Sequence, residues 1–248
     1  MDDATTARHD RRAELAAGLA QVRARIADAC AAAGRDRTEV SMIAVTKTYP
    51  AADVLLLTGL GVTDVGENRD QEAAPKAAEV AAAGATPRWH FIGRLQRNKC
   101  RSVVRYADAV HSVDSVRLTR ALAAAAERER ERPLDVLVQV SLDGDAERGG
   151  AVADGDASPE QSLDRVAAEV AGAGPLRLAG LMAVAPLDWE PARAFARLAA
   201  LAAALRADYP EATAISAGMS GDLEVAIAHG ATHVRVGSAL LGKRHSLR

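Results

Sequence analysis

Apolar positions along this chain switch repeatedly between a helical and an extended period. From about Arg11 to Ala33, Leu15, Leu19, Val22, Ile26 and Ala29 recur at helical spacing, and Gly34 follows as a stop. A long leading helix is expected there. The run Val40-Ser41-Met42-Ile43-Ala44-Val45-Thr46-Lys47-Thr48-Tyr49-Pro50 then reads as a strand covered on both faces, ended by proline. Further strands are expected over 62–66, 88–93, 109–113, 134–142, 176–184, 213–216 and 233–236. Helices are expected between them over 51–60, 69–83, 95–106, 115–130, 159–173, 191–207 and 222–229. Eight strands in strand–helix alternation fit a closed parallel (β/α)8 TIM barrel with an extra N-terminal helix, with a doubly wound open sheet as the alternative. The polar, glycine-rich 143–156 stretch reads as a mobile loop within one domain spanning 1–248.

Composition narrows the class without naming a function. A chain of 248 residues, 49% hydrophobic and 26% charged, can bury a large core, and 3% aromatic content leaves Ala, Val and Leu to fill it. A net charge of −2 provides no global field for nucleic acid or an anionic membrane. The basic segment Arg88, Arg94, Arg97, Lys99, Arg101 and Arg105 lacks interleaved aromatics for base stacking and reads as a solvated helix face. No run of 18 apolar residues occurs, no apolar h-region follows the acidic, polar Met1-Asp2-Asp3-Ala4-Thr5-Thr6, and Cys30 and Cys100 lie in unrelated segments. A cytoplasmic location is expected.

Chemistry enters at the strand ends, where barrels of this kind build their sites. The chain has 4 lysines against 27 arginines, and one of the four, Lys47, closes the first strand. An amine able to shed its proton and condense with a carbonyl is available only to lysine, although a lysine that snorkels into solvent competes as a reading. Ser216-Ala217-Gly218-Met219-Ser220-Gly221-Asp222 follows the seventh strand and Gly237-Ser238-Ala239 the eighth. Loops in those two places cradle phosphates in this fold, while tight turns with capping residues explain either one alone. A phosphate cradle beside an imine-forming amine describes pyridoxal 5′-phosphate, with Arg235 as the candidate partner of its ring nitrogen.

The order of motifs supports the same reading. Ala44-Val45-Thr46-Lys47, Gly66-Glu67-Asn68, Trp89-His90-Phe91-Ile92-Gly93, His111-Ser112-Val113-Asp114, Gly180-Leu181-Met182, Ser216-Ala217-Gly218-Met219-Ser220 and Val234-Arg235-Val236-Gly237 occur in sequence. In these the chain resembles the pyridoxal phosphate homeostasis proteins, which look like the alanine racemase N-terminal domain standing alone. The resemblance implies an aldimine on Lys47, Asn68 and Met182 beside the cofactor, and Arg235 facing its ring nitrogen. Ser216, Met219, Ser220, Gly237 and Ser238 would surround the phosphate. Arg69, Ala217 and Leu241 depart from the usual family residues. A racemase needs a second acid/base group opposite the lysine, and of Tyr49, Tyr106 and Tyr209 only Tyr49 follows a strand end. The expectation is a monomeric, non-catalytic cofactor handler serving apo-enzymes, binding neither nucleic acid nor membrane nor metal. A small racemase or decarboxylase is the alternative.

Overall fold

The computed structural model describes residues 3–145, 149–153 and 158–242. Eight parallel strands close into a barrel in chain order, β1 pairing with β8 across the seam. They are β1 (Ser41–Val45), β2 (Asp64–Glu67), β3 (Arg88–Phe91), β4 (Ala109–Val113), β5 (Leu134–Gln139), β6 (Leu176–Met182), β7 (Ala214–Ser216) and β8 (His233–Val236). The closed barrel, and not the open sheet, is the architecture. Helices α2 (Ala51–Gly59), α3 (Asp70–Ala82), α4 (Cys100–Tyr106), α5 (Val116–Glu129), α6 (Leu163–Gly172), α7 (Pro191–Asp208) and α8 (Leu223–Ala228) follow β1 to β7, and α9 (Ser238–Leu241) follows β8.

The leading helix, α1 (Asp3–Ala32), begins eight residues before the expected start at Arg11. Arg11 extends it usefully, reaching Asp53 at 2.7 Å and the Leu241 carbonyl at 3.2 Å. Leu15, Leu19, Val22 and Ile26 are all buried, as their spacing requires. A Cβ on Gly18 would sit 2.5 Å from the Leu240 carbonyl oxygen, so glycine there lets α1 lie directly on α9. None of the described helices is long and apolar enough to cross a membrane. Cys30 and Cys100 are free and buried.

Strand alternation divides apolar from polar layers. Val65, Trp89, Phe91, Val110, Val234 and Val236 face the helices and join the two hydrophobic clusters that form the outer shell. Their neighbours Asp64, His90, His111, His233 and Arg235 turn into the barrel. Barrel interiors are usually filled by branched aliphatic side chains. This one carries an unusually polar column.

Several boundaries differ from expectation for local reasons. The 95–106 helix is a 3-10 turn, Arg97–Lys99, followed by α4. The fifth strand stops at Gln139 because its continuation pairs elsewhere: Val140 bridges Ala151, and Val152 bridges Ser162. The expected helix from Pro159 accordingly starts at Leu163. Within the expected mobile loop, residues 149–153 are tied down by Ala151 N–H to Gln139 O at 2.7 Å and Ser141 N–H to Ala151 O at 2.9 Å. Positions 146–148 and 154–157 of that loop lie outside the described residues.

Candidate functional site

Lys47 lies two residues beyond β1, on a turn in which Thr48 has φ +70°. Its side chain is exposed, not partly buried as a strand-end amine would be. The turn is nevertheless firmly held. Thr46, fully buried, donates its hydroxyl to Glu67 Oε1 at 2.7 Å, and its carbonyl accepts from Lys76 Nζ at 2.9 Å. Lys76 and Glu67 form a buried ion pair at 2.6 Å. On the far side of Lys47, the Thr48 N–H reaches Glu72 at 3.2 Å. Helix α3 thus grips the turn on both sides of the lysine. Sequence reasoning missed Lys76 and Glu67; the scarcity of lysine was the available signal.

The loops after β7 and β8 meet beside this turn. A Cβ on Gly237 would touch Val45, placing the β8 end directly against the β1 end. Ser238, exposed, opens α9, and the Ala239 N–H points at Ser220 Oγ at 3.4 Å. Gly218 has φ +87°, and a Cβ there would lie 2.6 Å from that of Ala226. Only glycine can make this bend. Met219 is 41% exposed, and its N–H is capped by Asp222 at 2.6 Å. Lys47, Met219, Ser220, Gly237 and Ser238 are therefore at the open face.

Ser216 and Arg235 lie below them, inside the barrel. Ser216 is fully buried, its Oγ 2.8 Å from Arg235 Nη1 and 2.9 Å from His111 Nδ1. Arg235 Nη2 donates to the Ala183 carbonyl at 3.0 Å. Burial pushes the Arg235 guanidinium down to about 10, partly offset by Asp222, so it keeps its charge at neutral pH. Met182 pairs in register with Ser216 and is buried. Across the barrel, Asn68 follows β2, and its buried Oδ1 has no hydrogen-bond partner.

Beneath Ser216 the polar column continues. His111 Nε2 is 2.9 Å from His90 Nδ1, and His90 Nε2 is 2.8 Å from Asp64 Oδ1. His233 lies beside both imidazoles, with centroids 6.2 Å from each. Burial holds His111 well below the ordinary histidine range, reinforced by His90 and His233, and takes His233 down to about 4. Asp64 is opposed by burial, yet its bonds to His90 and Thr63 hold it below the usual carboxylate range. Sequence reasoning gave these residues no role, although His90 alternating with Trp89 and Phe91 marked an inward polar position. Among the described residues no group of His, Cys, Asp or Glu could hold a metal ion.

Tyr49 does not face Lys47's far side: its hydroxyl donates to the Gly242 carbonyl at 2.8 Å, and Arg11 stacks on its ring. A pocket of about 910 Å³ opens on the same face from Asn68 outward, lined by Phe91, Arg94, Arg97, Lys99 and Asp114 among others. Lys47, Ser216 and Arg235 do not line it.

Comparison with known proteins gives a consistent picture. Residues 18–245 match the alanine racemase N-terminal domain. The chain is 47% identical to the pyridoxal phosphate homeostasis protein of Mycobacterium tuberculosis, covering 95% of each chain. The Escherichia coli K12 protein of that name is 38% identical, over 93% of this chain and 97% of that one. Among solved structures, PipY of Synechococcus elongatus with pyridoxal phosphate bound superposes with a TM-score of 0.74 at 33% identity, covering 92% of this chain and 100% of PipY. Alanine racemase of Corynebacterium glutamicum, 15% identical with a TM-score of 0.64, covers 96% of this chain and 64% of its own, and shares the fold.

Proposed function

Because the chain belongs to the pyridoxal phosphate homeostasis proteins, a family sharing the alanine racemase N-terminal domain, we propose that it binds pyridoxal 5′-phosphate at Lys47. In this reading it works as one cytoplasmic domain that stores the cofactor and yields it to apo-enzymes, without turnover of its own. The observation that carries the reading is Arg235, a buried guanidinium that no carboxylate hydrogen-bonds among the described residues, set below an open face ringed by Lys47, Ser220 and Ser238. A buried cation of this kind suits an electron-rich ring nitrogen as its further acceptor.

The residues present fit the group. The buried Asn68 Oδ1 lacks a partner, a cost of about 1–3 kcal/mol that a polar ligand atom would remove. Gly218, Ser220, Gly237 and Ser238 supply the small residues and hydroxyls that a phosphate needs at closely apposed loops. The cofactor supplies an aldehyde that a lysine amine can hold covalently, and a ring that can act as an electron sink. Exposure of Lys47 leaves its amine accessible to a carbonyl and, later, to a competing amine. The α3 grip on Thr46 and Thr48 limits how far that amine can wander. Arg235 donates and cannot accept a proton at neutral pH, so a ring nitrogen held by it would stay unprotonated and the sink it supplies would be weak. Tyr49, turned toward Gly242, is not placed as the opposing acid/base group.

The test is the visible spectrum of the protein incubated with pyridoxal 5′-phosphate, before and after borohydride. A reducible chromophore mapped to Lys47 and lost in Lys47→Ala is expected; a chromophore retained in that variant would overturn the assignment. Incubation with L-alanine in deuterated water, followed by NMR, separates handler from enzyme. Lys47-dependent exchange of the α-proton would establish the racemase or decarboxylase alternative.

A further inference from the structure

The column of side chains inside the barrel has a direction. Asp64 can only accept, so the proton between it and His90 sits on His90 Nε2. With His90 neutral, its Nδ1 must accept from His111 Nε2, which leaves His111 Nδ1 to accept from the Ser216 hydroxyl. The Ser216 oxygen is then turned, lone pairs first, toward Arg235 Nη1. Every donor in the column points away from Arg235 and toward Asp64. Linked bonds of one sense polarise each other, so the carboxylate at the far end strengthens the acceptor that the guanidinium meets.

We infer that Asp64, His90 and His111 are positioning residues for Arg235, forming a through-barrel relay that holds the guanidinium as a hydrogen-bond donor beneath the cofactor site. The inference rests on the proposed cofactor reading for its consequence, but not for its geometry. Asp64 lies at the opposite end of the strands from the open face, four residues below Asn68, or about 13 Å at extended rise. Its hydrogen-bond partners, His90 and Thr63, are not among the residues proposed to hold the cofactor. The other titratable or charged groups facing the column are Arg88, Asp135 and the neutral His233; Arg88 and Asp135 bond each other, and Asp135 also bonds Arg177.

The experiment has two readouts. In the protein without cofactor, nitrogen NMR of the imidazoles should show both His90 and His111 as the Nε2–H tautomer. In Asp64→Ala the His111 tautomer should no longer be uniform. With pyridoxal 5′-phosphate added, Asp64→Ala should lose cofactor about threefold or more readily, and the pH midpoint of its chromophore should move. Asp64→Asn, which keeps an acceptor without its charge, should fall between, and it serves if Asp64→Ala does not fold. An Nδ1–H tautomer at His111 in the wild type overturns the relay. So does wild-type retention and midpoint in a folded Asp64 variant. If the wild type forms no chromophore at all, the cofactor reading fails instead, and the tautomers alone decide the relay.

Discussion

Lys47 and the small residues opposite it carry different kinds of cost. Gly218 at φ +87° has no room for a Cβ, because Ala226 lies 2.6 Å from where it would stand. Gly218→Ala is expected to destabilise the fold by about 1–3 kcal/mol and to lower the midpoint of thermal unfolding. Ser238, exposed at the start of α9, contributes little packing. Ser238→Ala should therefore leave the melting curve unchanged while weakening pyridoxal 5′-phosphate by about 1.5–3 kcal/mol, the worth of a hydroxyl donated to a charged group. Equal binding of pyridoxal and its phosphate by the wild type would remove Ser238 from the cradle.

At the level of elements, α3 acts as a clamp on the turn after β1. Its Lys76 neutralises Glu67 and holds the Thr46 carbonyl, all in a buried setting. Lys76→Met would leave Glu67 buried and unpaired, and a loss of about 3–5 kcal/mol is expected in urea unfolding. Pairing it with Glu67→Leu should recover most of that loss, which a double-mutant cycle would measure. Much of the element pattern was legible in the chain. The stripe of α1, the strand-to-helix alternation and the glycines after β7 and β8 each follow from local chemistry. The clamp was not, because the ion pair and hydrogen bonds that join the turn after β1 to α3 arise only once those two elements are brought together in space. Nor was the Asp64–His90–His111 column, which depends on the register between β2, β3 and β4. Period-two alternation shows that such residues point inward, but not which of them meet.

For the whole molecule, the polar interior makes stability depend on pH in one direction. The folded protein holds His111 and His233 neutral, with His233 down at about 4. Unfolding frees them to take up protons near the ordinary value of about 6.5, so the unfolded state binds more protons between those limits. Stability is full above about 6.5 and declines as the pH falls, His233 alone costing on the order of 3 kcal/mol by about 4. Denaturant unfolding at pH 7.5 and 4.5 should show this loss, and His233→Phe should flatten it. An unchanged slope in that variant would assign the pH dependence elsewhere.

The seam between β1 and β8 has a further consequence, for the order of assembly. Ser41 pairs with His233 across most of the chain, whereas Ala44 pairs with nearby Val65. Closing a loop of about 190 residues rather than about 20 costs roughly 2 kcal/mol more in chain entropy. The contacts of α1 with α8 and α9 carry the same separation, so they offer no early help. Strand pairing should therefore run from β2 outward and finish at the seam. Because Lys47 follows β1, and Gly237 and Ser238 follow β8, the two strands that join there, cofactor competence should be the last property to appear. Pulse-labelled hydrogen exchange should find the amides that bridge the seam, such as Ser41 N–H to the Thr232 carbonyl, protected last, and chromophore formation should track that final phase.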